Sequence, residues 1–251
     1  MQLELTGKKA LVTGSSRGIG RAIAEILLAE GCSVALNSRN AAEVSAVAEE
    51  LTHAIAVVGD VTKPEDACRI VTEATERLGG LDILVCNVGS GSSVPPGEET
   101  YEEWQRMFAL NLWSTTNTVE AARNILVASK GVIVCISSIC GLEVVPGAPV
   151  TYSAAKAALH AYVRGAARPL GRQGVRINAI APGNVLFDGS VWSRKLQEDA
   201  NAVQAMLNRD VSLSRLGNPQ DLAELVAYLA SPRSNFANGA VWTLDGGQVH
   251  S

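Results

Sequence analysis

Tyr152 and Lys156 are the residues whose spacing points most directly to chemistry. They stand four positions apart in a stretch of helical periodicity, so their side chains lie on one face. A free phenol has a pKa of about 10, but a lysine ammonium ~4 Å away at an effective dielectric of ~20 offers roughly 4 kcal/mol. We therefore expect Lys156 to lower the pKa of the phenol by up to about three units, which would make Tyr152 a proton donor and acceptor near pH 7.

Two serine hydroxyls compete for a place beside this pair. Ser137 and Ser138 stand at the end of the predicted strand Val132–Ser137. Ligands of open α/β sheets bind beyond the carboxyl ends of the strands, so a hydroxyl at this point can face a substrate. Position along the strand favours neither serine as the one that faces the substrate.

A glycine-rich turn precedes the first predicted helix. The strand Ala10–Thr13 runs into Gly14-Ser15-Ser16-Arg17-Gly18-Ile19-Gly20 and then into a helix over Gly18–Ala29. Glycines let the backbone approach a pyrophosphate, and a helix N-terminus directs N–H groups and positive dipole at phosphates. The spacing is G-x-x-x-G-x-G rather than G-x-G-x-x-G, but its place between strand and helix predicts a dinucleotide site.

The end of the second strand indicates which dinucleotide binds. Proteins that use NAD usually place an acidic residue there for the ribose hydroxyls. This chain has Asn37-Ser38-Arg39 instead, and Arg17 lies in the glycine-rich turn. Two guanidinium groups can hold a 2′-phosphate by charge-assisted hydrogen bonds, and Ser38 leaves room for it, so we predict NADP(H).

Short apolar runs alternate with helical stretches along the whole chain. We predict strands at Ala10–Thr13, Ser33–Asn37, Ala54–Val58, Leu81–Cys86, Val132–Ser137, Val175–Ile180 and Val241–Leu244. Helices are predicted at Gly18–Ala29, Ala41–Leu51, Pro64–Leu78, Thr100–Ala128 (with a possible break), Thr151–Leu170 and Pro219–Ala230. The strands lack period-2 alternation, as expected when helices cover both faces. The pattern predicts a doubly wound, Rossmann-like α/β fold with a parallel sheet of about seven strands.

Composition excludes several classes of protein. The 251 residues show no linker, so we expect one catalytic domain over residues 1–251. Apolar residues make up 47% of the chain and charged residues 18%, a composition that excludes a disordered chain. With 21 basic and 25 acidic residues and no basic run, neither nucleic acid nor a membrane surface is an expected partner. No apolar stretch reaches the ~18 residues of a membrane span, and the N-terminus lacks the apolar core of a signal peptide.

The cysteines and histidines predict no metal site. The five cysteines form no CxxC pair and are typical of buried thiols in a reducing compartment, here the cytoplasm. The three histidines, His53, His160 and His250, are scattered without ligand spacing.

These motifs together resemble the short-chain dehydrogenase/reductase family. Thr13-Gly14-x-x-x-Gly18-x-Gly20 matches its cofactor fingerprint, and Asp60-Val61 matches its adenine-contacting pair. Asn87-Val88-Gly89 matches its N-x-G element, with Val88 in place of the usual Ala. Pro182-Gly183 and Asp245-Gly246-Gly247 also fit. The resemblance covers essentially the whole chain. Within the family, the chain resembles the NADPH-dependent 3-oxoacyl and carbonyl reductases.

The resemblance implies four catalytic residues. The family places its serine 13 or 14 residues before the tyrosine, which favours Ser138, 14 before Tyr152, and leaves Ser137 as a strand serine satisfied by backbone. Ser138 would polarise a carbonyl oxygen and Tyr152 would protonate it. Lys156 would also hold the nicotinamide ribose, and the carbonyl of Asn111 would bind a water that links Lys156 to solvent.

The same resemblance outlines the cofactor site. Its expected residues are Gly14, Ser16, Arg17, Gly18, Ile19, Gly20, Ser38, Arg39, Asp60, Val61, Asn87, Gly89, Tyr152, Lys156, Pro182, Gly183 and Val185. The family often has a Thr shortly after Pro-Gly that contacts the nicotinamide carboxamide. This chain continues Asn184-Val185-Leu186-Phe187, so we expect backbone groups to make that contact.

Two loops, Ser90–Gly97 and Leu142–Pro149, and the segment Asn184–Asn208 would select the substrate. Phe187 and Trp192 either line an apolar pocket or pack the last loop onto the body, and Arg194 and Lys195 are either solvated or bind an anionic substrate. We predict residues 184–208 to be a substrate-binding lid, since they follow Gly183, contain Gly189 and carry few apolar residues between Ser193 and Val203.

The predicted reaction is hydride transfer between NADP(H) and a small carbonyl or alcohol substrate, with ketone or aldehyde reduction favoured. The alternatives are oxidation of a sugar, steroid or other secondary alcohol, and a non-catalytic NADP(H)-binding sensor. By resemblance we expect a homo-oligomer, most often a tetramer, built through the helices around Trp104–Ala128 and Thr151–Leu170 and through Trp242–Ser251.

Overall fold

The computed structural model describes residues 2–249, and within them seven parallel strands form one sheet in the order β3-β2-β1-β4-β5-β6-β7. The strands are β1 Lys9–Val12, β2 Ser33–Ser38, β3 Ala54–Val58, β4 Ile83–Cys86, β5 Val132–Ile136, β6 Arg176–Pro182 and β7 Val241–Leu244. The strand order reverses between β1 and β4, which is where ligands of such sheets bind. The predicted doubly wound parallel sheet is confirmed.

Eight α-helices lie in the same described range. They are α1 Gly18–Ala29, α2 Ala41–Glu50, α3 Pro64–Leu78, α4 Tyr101–Phe108, α5 Ser114–Ser129, α6 Val150–Gly171, α7 Val191–Asp210 and α8 Pro219–Ala230. A π-helical turn, Ala109–Trp113, joins α4 to α5, and short 3₁₀ turns occupy Ile139–Gly141 and Pro232–Ser234. No helix of residues 2–249 is long and apolar enough to cross a membrane.

Two apolar layers sandwich the sheet. On one face α1 packs on α8 through residues such as Ile23 and Val226. On the other face α3, α5 and α6 contribute Val71, Val119 and Leu159. Alternate residues of each inner strand enter opposite layers, and both layers are buried, which explains why the strands read as continuous apolar runs.

The main departure from the sequence-based prediction is α7. No helix was predicted within residues 184–208, the proposed lid, but Val191–Asp210 is helical. Ser190 caps its first turn by accepting a hydrogen bond from the backbone N–H of Ser193 at 3.0 Å, and Val203, Leu207 and Val211 bury one face of its second half. Non-helical backbone at Asp199 divides the helix into two segments. Few apolar residues precede Val203, so the apolar periodicity there was too weak to reveal the first segment.

Smaller differences concern element ends. β4 begins at Ile83 rather than Leu81, and β6 continues to Pro182 because its residues pair with β7. The possible break in the helical stretch Thr100–Ala128 is confirmed, and it takes the form of the π-helical turn at Ala109–Trp113. The predicted interface segment Trp242–Ser251 lies partly outside the described residues, as does His250.

Candidate active site

The carboxyl ends of β1, β4, β5 and β6 open into one cleft of about 1900 Å³. Eleven of the predicted site residues line it: Gly14, Arg17, Ile19, Asn87, Gly89, Ser138, Tyr152, Lys156, Pro182, Gly183 and Val185. Asn111 is buried outside this lining, while Ser16 of the glycine-rich turn forms a separate group with Ser38, Arg39 and Asp60 at the ends of β2 and β3. The sequence therefore predicted residues that the fold brings to one edge of the sheet.

The glycine-rich turn is shaped by backbone contacts that a side chain would block. Gly14 and Gly18 have φ of 63° and 57°, a region that favours glycine. A Cβ at Gly20 would lie 2.3 Å from the carbonyl oxygen of Gly14. The Asn87 amide donates to the carbonyl oxygens of Thr13 and Gly14 at 3.1 and 2.9 Å, which ties the turn to β4.

This turn fits the pyrophosphate of a dinucleotide. No side chain caps the first turn of α1, so its N–H groups are available to an anion. Gly18 and Gly20 form the tight entry to the helix, and Arg17 adds a cation beside it in the cleft. The residues present therefore fit the pyrophosphate of a nicotinamide dinucleotide.

The adenosine end of the site contains acids as well as the predicted arginine. Arg39 Nη1 lies 3.7 Å from the Asp60 carboxylate, and the Arg39 side chain is 71% exposed. The Ser16 hydroxyl lies 3.4 Å from the Ser38 hydroxyl and donates to the Glu43 carboxylate at 3.2 Å. Sequence reasoning missed Glu43. Its signal was Asn40-x-x-Glu43 at the start of α2, a capping pair that places the carboxylate at the helix entrance.

Ser138 is the serine hydroxyl beside Tyr152. Its Oγ accepts a hydrogen bond from the backbone N–H of Cys140 at 3.1 Å, and its hydroxyl is near enough to the phenol to act on the pKa of Tyr152. Ser137 turns away: its Oγ lies 2.7 Å from His160 Nε2. The expectation that the backbone satisfies the Ser137 hydroxyl was wrong, because this hydroxyl bonds to the imidazole of His160 on α6.

The pKa of Tyr152 departs from the sequence-based expectation. Partial burial in the cleft wall raises it above its usual value, and the neighbouring Ser138 hydroxyl only partly opposes that effect. Lys156 Nζ is 5.9 Å from the centre of the Tyr152 ring and donates to the carbonyl oxygen of Ile136 at 3.0 Å. The predicted lowering by an ammonium ~4 Å away was therefore wrong for this geometry, since the ammonium is directed at the strand end.

Burial also affects Lys156. It lowers the pKa of the ammonium to about 8, while the nearby thiols of Cys135 and Cys140 act in the opposite direction. Lys156 is 3% exposed, and its ammonium donates to the carbonyl oxygen of Ile136. At neutral pH the pair is thus a neutral phenol beside a lysine that is mostly protonated.

Asn111 approaches Lys156 from the π-helical turn. Its amide donates to the carbonyl oxygens of Met107 and Ser90 at 3.1 and 3.2 Å, and its Oδ1 accepts from the Ser90 N–H at 3.0 Å. A Cβ at Gly89 would lie 2.9 Å from Asn111 Oδ1 and 3.1 Å from Lys156 Nζ. The absence of a side chain at Gly89 therefore leaves room for both Asn111 and Lys156 at this point.

A hydrogen-bonded chain fastens the loop after β4 to the start of α6. Ser93 Oγ lies 2.8 Å from the Thr151 hydroxyl and donates to the Glu103 carboxylate at 2.6 Å. Arg106 pairs with Glu103, and these contacts lower the pKa of Glu103 to about 2. Sequence reasoning missed this chain, which positions the residue next to Tyr152.

The segment after Pro182-Gly183 covers the opposite wall. The Phe187 ring lies against Gly18, where a Cβ would come within 2.6 Å of it. Trp192 packs on the apolar cluster of α7, and Lys195 Nζ lies 4.6 Å from the centre of its ring. Both aromatic residues border the cleft and also pack the segment onto the body. The two interpretations of Phe187 and Trp192, lining a pocket and packing the segment, therefore both apply.

The chain is similar to several known reductases and dehydrogenases. A family model described as enoyl-(acyl carrier protein) reductase matches residues 14–249. The hydroxynaphthalene reductase-like protein Arp2 of Metarhizium robertsii is 34% identical over 98% of this chain and 96% of its own. L-Sorbose reductase from Gluconobacter frateurii, solved with NADPH and L-sorbose, superimposes with a TM-score of 0.93 at 28% identity over 100% of both chains. A 7α-hydroxysteroid dehydrogenase, solved with NADH and 7-oxo glycochenodeoxycholic acid, gives 0.90 at 30% identity over 100% and 97%.

Proposed function

Since the chain belongs to the short-chain dehydrogenase/reductase family, a group of nicotinamide-dependent oxidoreductases, we propose that it reduces a ketone or aldehyde with NADPH. The observation that carries the proposal is the placement of Ser138 and Tyr152 side by side, with Lys156 behind them, at the nicotinamide end of the glycine-turn cleft. Tyr152 and Lys156 are both present, which argues against a sensor without turnover.

The proposed mechanism assigns each side chain one task. NADPH, when bound, supplies the hydride. Ser138 donates a hydrogen bond to the carbonyl oxygen, where negative charge develops. Tyr152, neutral because burial raises its pKa, gives that oxygen its proton. The ammonium of Lys156 stabilises the phenolate that remains, and a water bound by the carbonyl of Asn111 would link Lys156 to solvent and restore the proton.

The preference for NADP(H) is the finer part of the proposal. Arg17 and Arg39 supply two cations for a 2′-phosphate. Glu43 and Asp60 stand nearby with two carboxylates, and one compared structure was solved with NADH. We therefore expect a preference for NADPH that is set by the balance of these four charges.

The alternative direction uses the same residues. Tyr152 as phenolate would accept the proton of a secondary alcohol, and the compared proteins include a steroid dehydrogenase and a sugar reductase. A panel of ketones, 3-oxoacyl thioesters, ketoses and secondary alcohols, followed by NADPH consumption or NADP⁺ reduction, tests both directions. No turnover in either direction with every substrate would contradict the proposed enzyme.

Three further parts of the proposal concern the whole molecule. Residues 184–208 act as a substrate-binding lid within one catalytic domain over residues 1–251. The chain forms a homotetramer through the surfaces that include α5 and α6; Trp113, in the π-helical turn before α5, is 43% exposed. All five cysteines are free thiols, which supports a cytoplasmic location.

A further inference from the structure

His160 continues the row of functional side chains on α6. Tyr152, Lys156 and His160 follow one another at four-residue intervals, so all three lie on one face of the helix. His160 is 2% exposed and lies behind the cleft wall, one turn below Lys156. It therefore cannot touch a substrate, and any effect on the reaction must pass through its neighbours.

The imidazole bridges the two ends of the turn that carries Ser138. Its Nε2 lies 2.7 Å from Ser137 Oγ, and its Nδ1 lies 3.1 Å from the carbonyl oxygen of Gly141. A carbonyl oxygen only accepts, so Nδ1 carries the proton and donates to Gly141. Nε2 is then the acceptor, and the Ser137 hydroxyl donates to it. The two bonds select one tautomer and use both ring nitrogens.

The ring is neutral in this environment. Burial lowers the pKa of His160 to about 4, the positive charges of Arg164 and Lys156 act in the same direction, and the bond to Gly141 opposes them. A neutral ring can keep one donor and one acceptor, which is what the two partners require.

The turn between these two anchors is closely packed on α6. A Cβ at Gly141 would lie 2.7 Å from the backbone carbon of Lys156 and 2.8 Å from His160 Cε1. Within the turn, the Gly141 N–H donates to the Ser138 carbonyl at 3.1 Å and the Cys140 N–H donates to Ser138 Oγ at 3.1 Å. The position of the Ser138 hydroxyl is thus determined by a turn whose ends are both held by His160.

We propose that His160 is a positioning residue for carbonyl reduction: its bonds to Ser137 and Gly141 hold the turn so that the Ser138 hydroxyl stays beside the Tyr152 phenol. The inference rests on the proposed function, because Ser138 matters only if a carbonyl oxygen is polarised there. A displacement of about 1 Å at a reacting group can cost on the order of 100-fold in rate, so a loose turn would be felt at the reaction.

The test measures kcat with saturating NADPH and the best carbonyl substrate of the panel. His160→Leu removes both bonds at similar volume and should lower kcat about 10- to 100-fold, with the Kd for NADPH, measured by fluorescence titration, unchanged within about twofold. His160→Asn places an amide N–H near the Nδ1 position, restores the bond to Gly141, and should recover most of the loss. If His160→Leu does not fold, kcat is compared between Ser137→Ala and His160→Asn instead.

The background variant Ser138→Ala separates positioning from general destabilisation. A residue that acts through Ser138 has little left to position in that background, so His160→Leu should then lower kcat by less than about twofold further. Ser234→Ala is the matched control: it removes a buried hydroxyl that donates to Leu229 at 2.8 Å, far from the turn, and should lower the unfolding temperature without changing kcat.

Two results would overturn the inference alone: a wild-type kcat in His160→Leu, or losses that multiply fully in the Ser138→Ala background. A wild-type chain that reduces no carbonyl compound would instead contradict the proposed function, and the positioning role with it.

Discussion

Lys156 Nζ donates a hydrogen bond to the carbonyl oxygen of Ile136, the last residue of β5, at 3.0 Å. The bond holds the buried ammonium at the strand end, two residues before Ser138. A charge-assisted hydrogen bond therefore fixes the position of α6 relative to the sheet. The placement of Tyr152 and Lys156 depends on this contact as well as on their four-residue spacing.

Replacing Tyr152 by Phe removes the proton donor and keeps the ring that packs beside Gly91. We expect turnover to fall by about two orders of magnitude or more, because general acid catalysis is lost. NADPH should still bind, which a fluorescence titration would show. Near wild-type reduction by this variant would mean that Tyr152 is not the acid and that the proposed mechanism is wrong.

Gly89→Ala should separate Asn111 from Lys156. The added methyl group would lie 2.9 Å from Asn111 Oδ1 and 3.1 Å from Lys156 Nζ, so one of the two must move. We expect kcat to fall about tenfold or more, since a 1 Å displacement of a catalytic group has effects of that order. In the comparison variant Gly91→Ala the new Cβ meets the Tyr152 ring at an ordinary 3.6 Å, and its loss should be much smaller. Equal kcat values for the two variants would count against the asparagine–lysine relay.

Arg39→Ala should weaken NADPH far more than NADH. One charge-assisted contact to the 2′-phosphate is worth roughly 1.5–3 kcal/mol, whereas NADH has no phosphate to lose. Glu43→Gln is the opposite variant, because it removes a negative charge beside Ser16 and keeps the shape of the side chain; it should tighten NADPH and leave NADH nearly unchanged. Both Kd values can be measured by fluorescence titration. Equal losses for the two cofactors in Arg39→Ala would contradict the NADP(H) assignment.

The first segment of α7 should be protected by cofactor. Arg194 and Lys195 are exposed and precede the non-helical Asp199, whereas the second segment is held by Val203 and Leu207. Few buried apolar contacts hold the first segment, so it should open readily. Trypsin should cut after Arg194 or Lys195 in the free protein, and saturating NADPH should slow the cut severalfold. Cleavage that is absent or equally fast in both states would identify a fixed flap instead of a lid.

Stability should depend on pH through His160. Its pKa is about 4 in the folded chain and about 6.5 in an unfolded one, so the unfolded chain binds the proton first as pH falls. The contribution is complete above pH ~6.5 and is lost progressively toward pH ~4, with about 2 kcal/mol lost between pH 7 and pH 5. Urea unfolding at both pH values should show a smaller decrease for His160→Asn, which cannot titrate. An identical decrease in the two proteins would show that His160 does not titrate in this way.

The sequence by itself determined the architecture and the principal site residues. Continuous apolar runs such as Val132–Ser137 can be buried only between two helical layers, and the strand–glycine–helix order at Gly14–Gly20 leaves few ways to fold locally. The spacing of Tyr152 and Lys156 places both on one helix face whatever the surroundings are. These features depend on local chain geometry, which neighbouring residues along the sequence specify.

The tertiary structure decided the features that depend on contacts between distant segments. Burial reversed the expected shift in the pKa of Tyr152, because desolvation depends on what packs around the phenol. Glu43 entered the adenosine end only because α2 begins beside the glycine-rich turn. The Ser137 hydroxyl bonds to His160, 23 residues later in the chain, rather than to the backbone. Distances of this kind, and the dielectric environment that they create, follow from how the layers close over one another, and residue spacing alone carries no information about them.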